Sequence, residues 1–225
     1  MVPAARPAPS RIYILDLDGT LLPTHELDNV CYWKAVHEVF GTRPGTVPLT
    51  TFVHVTDPGI LLEWCQHQVG RPPTKDEVDA VRRQFLGYIE REAERDERHF
   101  QPTHGLRRWL RHVADEGAAV AIATGGWGHT ARFKLERSGL DAWRLPLASA
   151  DDRETRTEIM QLALEWVLRS NPAEVTPTYI GDGPWDATAA RELGWGFIGI
   201  ASGRRAEVLR GCGARQVHAD FSTLC

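Results

Sequence analysis

From Pro102 onward the chain alternates short apolar runs with amphipathic segments, and this rhythm restricts the fold more than any other feature. The apolar runs cover residues 118–123, 178–181 and 196–200, with a short connecting run at 145–148. Between them lie segments with helical spacing: 106–116 before Gly117, 130–138 before Gly139, 157–170, and 187–193 before Gly194. In 157–170, Ile159, Met160, Leu162, Ala163, Trp166 and Val167 share one side. Near the N-terminus, Ile12, Tyr13, Ile14 and Leu15 form another buried-strand pattern, β-branched and aromatic. Strands alternating with helices imply parallel βαβ units and a doubly wound parallel sheet, an α/β core.

The rhythm is interrupted between residue 23 and about residue 99. Residues 27–40 place Leu27, Val30, Cys31, Trp33, Val36, Val39 and Phe40 at helical spacing before Gly41. A Pro/Gly/Thr-rich passage over 42–51 reads as loop. Asp57 and Pro58 open a second helix, which runs to Gly70 and is broken by Arg71-Pro72-Pro73. Thr74 and Glu77 have capping-box spacing and start a third, with Val78, Val81, Phe85, Leu86 and Ile89 inward and a charged end from Glu90 to Arg98. The expected organisation is a disordered lead-in over 1–10, an α/β core made of 11–22 and 100–225, and an α-helical cap over 23–99 that leaves the core beside Asp18 and is placed to act as a lid.

Composition excludes several classes. The chain has 225 residues, 42% hydrophobic and 25% charged, the balance of a soluble globular protein. A net charge of -4 gives no basic footprint for nucleic acid, and no apolar stretch is long enough to span a membrane. Residues 1–10 lack the apolar run of a signal peptide. The four cysteines form no C-x-x-C pair, which argues against a zinc site or a disulfide framework and favours a reduced, cytoplasmic setting. The eight tryptophans read as core and contact side chains.

Three apolar runs end in polar side chains: Asp16 and Asp18, Thr124, and Asp182, with Asp186 four residues further on. In a doubly wound sheet ligands bind beyond the carboxyl ends of the strands, so these residues are expected on one edge. Two bare charges about 4 Å apart repel by roughly 4 kcal/mol at an effective dielectric near 20. A carboxylate cluster therefore calls for a cation or for raised pKa values, and hard oxygen donors with few His or Cys nearby point to Mg²⁺ rather than zinc.

The pattern resembles the haloacid dehalogenase superfamily of phosphatases and phosphotransferases. Asp16-Leu17-Asp18-Gly19-Thr20-Leu21 matches that family's first motif, Ala123-Thr124-Gly125-Gly126 its second, and Gly181-Asp182-Gly183-Pro184-Trp185-Asp186 its fourth. The insertion between the first two resembles the family's helical cap. The third motif departs: the usual Lys is missing from Ala150-Asp151-Asp152-Arg153-Glu154-Thr155-Arg156, where Arg156 is the first candidate to replace it and Arg153 the second. The resemblance implies Asp16 as nucleophile forming an aspartyl-phosphate and Asp18 as general acid and base. Mg²⁺ would be held by Asp16, the Asp18 carbonyl and Asp182, with Asp186 ligating it or orienting its waters. Thr124, the Gly125 N–H and Arg156 would bind the phosphate oxygens. The expected partner is a small phosphorylated metabolite, with the chain a monomer or homodimer.

Other readings carry less weight. A calcium loop starting at Asp16 fails, because Gly19 is misplaced and Leu27 stands where the closing Glu belongs. Gly125-Gly126-Trp127-Gly128 lacks the spacing of a dinucleotide fingerprint. A phosphomutase resembling β-phosphoglucomutase would use the same core residues. A dehalogenase would lack Asp18, and a non-catalytic interaction protein would have no use for the acidic cluster. Thr124 suits a turn cap and Asp186 an N-cap of the helix after it. His25, Lys34, His54, Thr56 and Asp57 read as surface or capping residues that are also near enough in sequence to meet a substrate.

Overall fold

The computed structural model describes residues 9–43, 45–170 and 174–224, the lead-in expected over 1–10 falling mostly outside them. Six strands form one parallel sheet: β1 (Ile12–Leu15), β2 (Ala119–Ala123), β3 (Leu147–Ala148), β4 (Thr178–Gly181), β5 (Gly196–Ile200) and β6 (Gln216–His218). Their order is β3-β2-β1-β4-β5-β6. After β3 the chain crosses to the other side of β1, so β1 and β4 flank the point where the strand order reverses. Leu15 pairs with Ile122 on one side and Ile180 on the other. That register sets Asp16, one residue on, close to Thr124 and Asp182, two residues on, at the carboxyl edge, where such sheets hold ligands.

Side-chain alternation explains the two buried faces. Leu15, Ile122 and Ile180 point to one face, where Trp109, Leu110 and Val113 of α4 (Leu106–Asp115) and Ala131 and Leu135 of α5 (Gly128–Ser138) pack on them. Ile12, Ile14, Ala121, Ala123 and Tyr179 point to the other. They meet Ile159, Met160 and Ala163 of α6 (Arg156–Ser170) and Ala189 and Ala190 of α7 (Pro184–Glu192). An eighth helix, α8 (Gly203–Gly211), and β6 extend the sheet beyond β5; neither is foreseen from the sequence.

Between β1 and α4 three helices build a separate apolar cluster: α1 (His25–Phe40), α2 (Asp57–Gln68) and α3 (Lys75–Arg95). Trp33, Trp64, Phe85, Tyr88 and Ile89 are its large members. Gly41, left-handed at φ 63°, ends α1, and the Thr74–Glu77 capping box starts α3. Thr56, not Asp57, caps α2 by accepting the Gly59 N–H. Trp127, from the loop after β2, is buried in this helical cluster and joins it to the sheet. Among the described residues no helix is long and apolar enough to cross a membrane.

Candidate active site

The backbone of β1 ends by donating the Asp16 N–H to the Ile180 carbonyl at 2.9 Å, which anchors Asp16 beside β4. Gly19 then turns the chain at φ +88°, a conformation that strains L side chains, and it passes so close to the Asp182 carboxylate that a Cβ there would overlap it. Asp16, Asp182 and Asp186 each offer an oxygen within 4.8 Å of the others, and all three are buried. Burial first, and the neighbouring Asp186 second, push the Asp16 carboxyl well above the ordinary range.

Arg156, the first residue of α6, answers this charge. Its Nη1 donates to Asp186 Oδ1 at 2.9 Å and to Asp16 Oδ1 at 3.3 Å. Burial works against its charge, but Asp186 and Asp16 leave the guanidinium held above its usual value. Arg153 is exposed and donates to its neighbour's carbonyl, Asp152 O, so of the two candidates only Arg156 enters the site. The second amino group of Arg156 donates to Val55 O at 2.9 Å, in the segment just before α2. A lysine, with one terminal nitrogen, is less suited to spanning both contacts.

The N-cap expected of Asp186 needs correction. Helix α7 starts at Pro184, earlier than its apolar pattern suggests, with Gly183 as cap and Asp186 in its first turn. Asp186 Oδ2 accepts the backbone N–H groups of Asp182 and Gly183 at 3.1 and 2.9 Å. With Oδ1 on Arg156, both its oxygens are engaged, which suits a residue that orients Asp182 and Arg156. Thr124 caps its own turn, Oγ1 accepting the Gly126 N–H at 3.1 Å, and lines the cavity together with Gly125.

Asp18 faces a different set of partners. Its Oδ1 accepts from Thr24 Oγ1 at 2.5 Å and from Lys134 Nζ at 2.7 Å. Lys134 is 1% exposed, and its ammonium also pairs with Asp28 of α1. Burial lowers its proton affinity, but Asp18 and Asp28 together raise it above the ordinary lysine range. Sequence reasoning missed Lys134, although the signal was there. It falls on the buried stripe of α5 with Ala131, Leu135 and Ser138, where a charge is admissible only if paired.

Among the inserted residues, His25, Asp28, Asn29, Tyr32, Thr56 and Asp57 line a cavity of about 80 Å³ over these core groups. His54 and Lys34 lie outside it, Lys34 over the Tyr88 ring at 4.0 Å. Asp57 is a junction. Its N–H donates to Gly125 O at 2.8 Å, its carboxylate Oδ2 accepts the Trp127 N–H at 2.8 Å, and burial pushes its carboxyl up to about 7. His25 stacks on Trp185 at 6.1 Å, and burial, then Arg205, lower its proton affinity. Arg205 of α8 pairs with Asp182, without hydrogen-bond geometry to Oδ2.

The site thus combines a buried carboxylate pair bridged by an arginine, a third carboxylate beside it, and a strand-end threonine. The carboxylates stand where the strand order of the parallel sheet reverses, and the threonine one strand away on the same edge. The family model for haloacid dehalogenase-like hydrolases matches residues 13–200. The chain belongs to that family. It is an enzyme of the haloacid dehalogenase-like hydrolase type, with phosphatases among its structural neighbours.

Three solved structures place this hydrolase fold among its relatives. A hydrolase from Pseudomonas syringae is 22% identical with a TM-score of 0.75, the match covering 96% of each chain. CbbY from Rhodobacter sphaeroides, solved with phosphate, is 20% identical at TM-score 0.70, covering 95% of this chain and 96% of that one. A protein described as a predicted phosphoglycolate phosphatase from Haemophilus somnus is 16% identical at TM-score 0.65, with 95% and 96% covered. At these identities the likeness is one of fold. No curated protein matches the chain.

Proposed function

We propose that this hydrolase is a Mg²⁺-dependent phosphatase that cleaves a small phosphate monoester through an aspartyl-phosphate on Asp16. The observation that carries the reading is the convergence of Asp16, Asp182 and Asp186 with Arg156 at the carboxyl edge of β1 and β4. The residues fit a hard dication. Their oxygens lie within 4.8 Å of one another, and burial disfavours the charge on Asp16 unless a cation offsets it. Asp16, Asp182 and the Asp18 carbonyl would hold the ion, with Asp186 orienting them. When bound, it would supply charge neutralisation between nucleophile and phosphate.

The chain's own groups do the rest. Thr124, the Gly125 N–H and the Arg156 guanidinium bind the phosphoryl oxygens and fix the phosphorus in line with Asp16. An Asp16 carboxylate oxygen bonds to phosphorus as the ester oxygen leaves. Asp18 gives its proton to that departing alkoxide and then takes one from the water that attacks the aspartyl-phosphate, releasing phosphate and restoring Asp16. Thr24 and Lys134 hold Asp18 by Oδ1, and among the described residues Oδ2 accepts no hydrogen bond, which leaves it for proton transfer. The helical segment over 23–99 acts as a cap whose Val55–Asp57 stretch closes on Arg156 and Gly125, excluding water from the first step.

The test is phosphate release from p-nitrophenyl phosphate with and without chelator. The expected result is loss of at least 100-fold of the rate in EDTA and recovery with Mg²⁺. The melting temperature should rise with added Mg²⁺, since an ion bound only by the folded chain at 100 times its Kd adds about 2.7 kcal/mol. Full activity in EDTA would contradict the reading.

A further inference from the structure

The two ends of the cavity differ in the cationic side chains they offer. Arg156, Thr124 and Gly125 form the core end, where phosphate is held in the reading above. The opposite wall comes from the cap and carries two carboxyls, Asp28 of α1 and Asp57 at the start of α2, with Asn29 beside Asp28 and the polar His25, Tyr32 and Thr56 around them. Among the described residues that line the cavity, no Lys or Arg comes from the cap. Lys134 lies behind this wall, paired with Asp18 and Asp28. The Asn29 Oδ1 atom is buried and has no hydrogen-bond partner, so the wall contains an acceptor in need of a donor.

These features set what can sit opposite the phosphate. A carboxylate or a second phosphate there would be buried beside the Asp28 and Asp57 carboxyls with no cap Lys or Arg to pair with, which is costly as desolvation and, above about pH 7 where Asp57 ionises, as repulsion too. A hydroxyl or ammonium group would instead donate to Asn29 and the aspartates. Arg204 and Arg205 open into a neighbouring space on the far side of His25 and Trp185, and Arg205 is already paired with Asp182.

We infer that the substrate is the phosphate monoester of an alcohol bearing hydroxyl or amino groups, and that esters whose leaving group carries a negative charge are rejected. The inference rests on the phosphatase reading. It also bears on mutase chemistry, because a phosphomutase must hold a bisphosphate, with one phosphate at the acceptor wall.

Three near-isosteric esters test it: 2-aminoethyl phosphate, 2-hydroxyethyl phosphate and carboxymethyl phosphate, each assayed by phosphate release with Mg²⁺. The expected kcat/KM for the first two exceeds that for the third by at least 10-fold. In Asp57→Asn, and separately in Asp28→Asn, the ratio should shrink at least threefold because the anionic ester gains; two variants guard against one failing to fold. Equal or better turnover of the carboxymethyl ester by the wild type would overturn the inference. So would turnover of p-nitrophenyl phosphate with none of the three esters cleaved, an outcome that leaves the phosphatase reading standing. If p-nitrophenyl phosphate is not cleaved either, the phosphatase reading fails and the inference with it.

Discussion

Lys134 shows how one buried charge shapes the site. Its ammonium is shared by Asp18 after β1 and Asp28 of α1, and all three side chains are largely withdrawn from water. Removing one partner of such a cluster leaves uncompensated charge, which costs about 3–5 kcal/mol. Lys134→Ala should therefore lower the unfolding free energy by about that amount in a urea titration. A loss under about 1 kcal/mol would mean that the carboxylates find water or protons without it. Asp57 makes a pH-dependent claim. Its carboxyl titrates near 7 in the fold, against an ordinary value of 3.8, so between those pH values the folded chain keeps a proton that the unfolded chain has lost. Its contribution to stability is fully present below about pH 4 and is lost as pH rises through 7. Asp57→Asn lacks this titration and can still accept from the Trp127 N–H. The stability of the variant relative to wild type should rise between pH 4 and pH 8, by on the order of 3–4 kcal/mol. A difference that stays constant with pH would contradict the burial argument. Residues such as Asp16 and Asp182 were legible in the sequence because they terminate apolar runs. The charge of Lys134 on the buried stripe of α5 was a local sign, but its partners Asp18 and Asp28 were not legible, because a pairing across 106 positions leaves no local pattern.

At the scale of elements, the segment from Val55 to Asp57 is where the three-helix cluster of α1–α3 meets the sheet. Val55 O accepts from Arg156, Thr56 Oγ1 donates to Glu154 O at 3.3 Å, and the Asp57 N–H donates to Gly125 O. Gly125 is what permits this approach: a Cβ there would lie 2.6 Å from Arg156 Nη2 and 2.7 Å from Val55 O. Gly125→Ala should push the cap segment and Arg156 apart, lowering kcat/KM by about 10- to 100-fold, as displacements near 1 Å do. Because the strain falls on the cap–core contact rather than on either apolar cluster, its melting temperature should drop by only a few degrees. Unchanged kinetics in that variant would show that the contact is not used in turnover. The helices themselves were legible from spacing, caps and the Thr74–Glu77 box. Their contacts with the core were not, since backbone carbonyls such as Val55 O carry no residue signature. The start of α7 was misplaced for a related reason: Pro184 and Trp185 do not extend the apolar stripe, but proline suits a first turn.

At the scale of the whole molecule, chain order and spatial order part company. β1 comes first in sequence yet lies in the middle of the sheet, between β2 and β4. The alternation of apolar and amphipathic segments was enough to foresee a parallel α/β core, and right-handed connections limit the ways of winding it. The last helix and strand, α8 and β6, escaped because Gly203–Gly211 is polar over most of its surface and Gln216–His218 is short. The central strand brings Asp16 against Asp182 across 166 positions of sequence, and the functional account depends on that juxtaposition. The most direct test is to quench the enzyme with acid during turnover of a ³²P-labelled phosphate ester with Mg²⁺ and map the labelled peptide. The account predicts label on the peptide that contains Asp16, and neither label nor phosphate release in Asp16→Asn folded to the wild-type circular dichroism spectrum. Phosphate release by Asp16→Asn at the wild-type rate, or label on another residue, would contradict it.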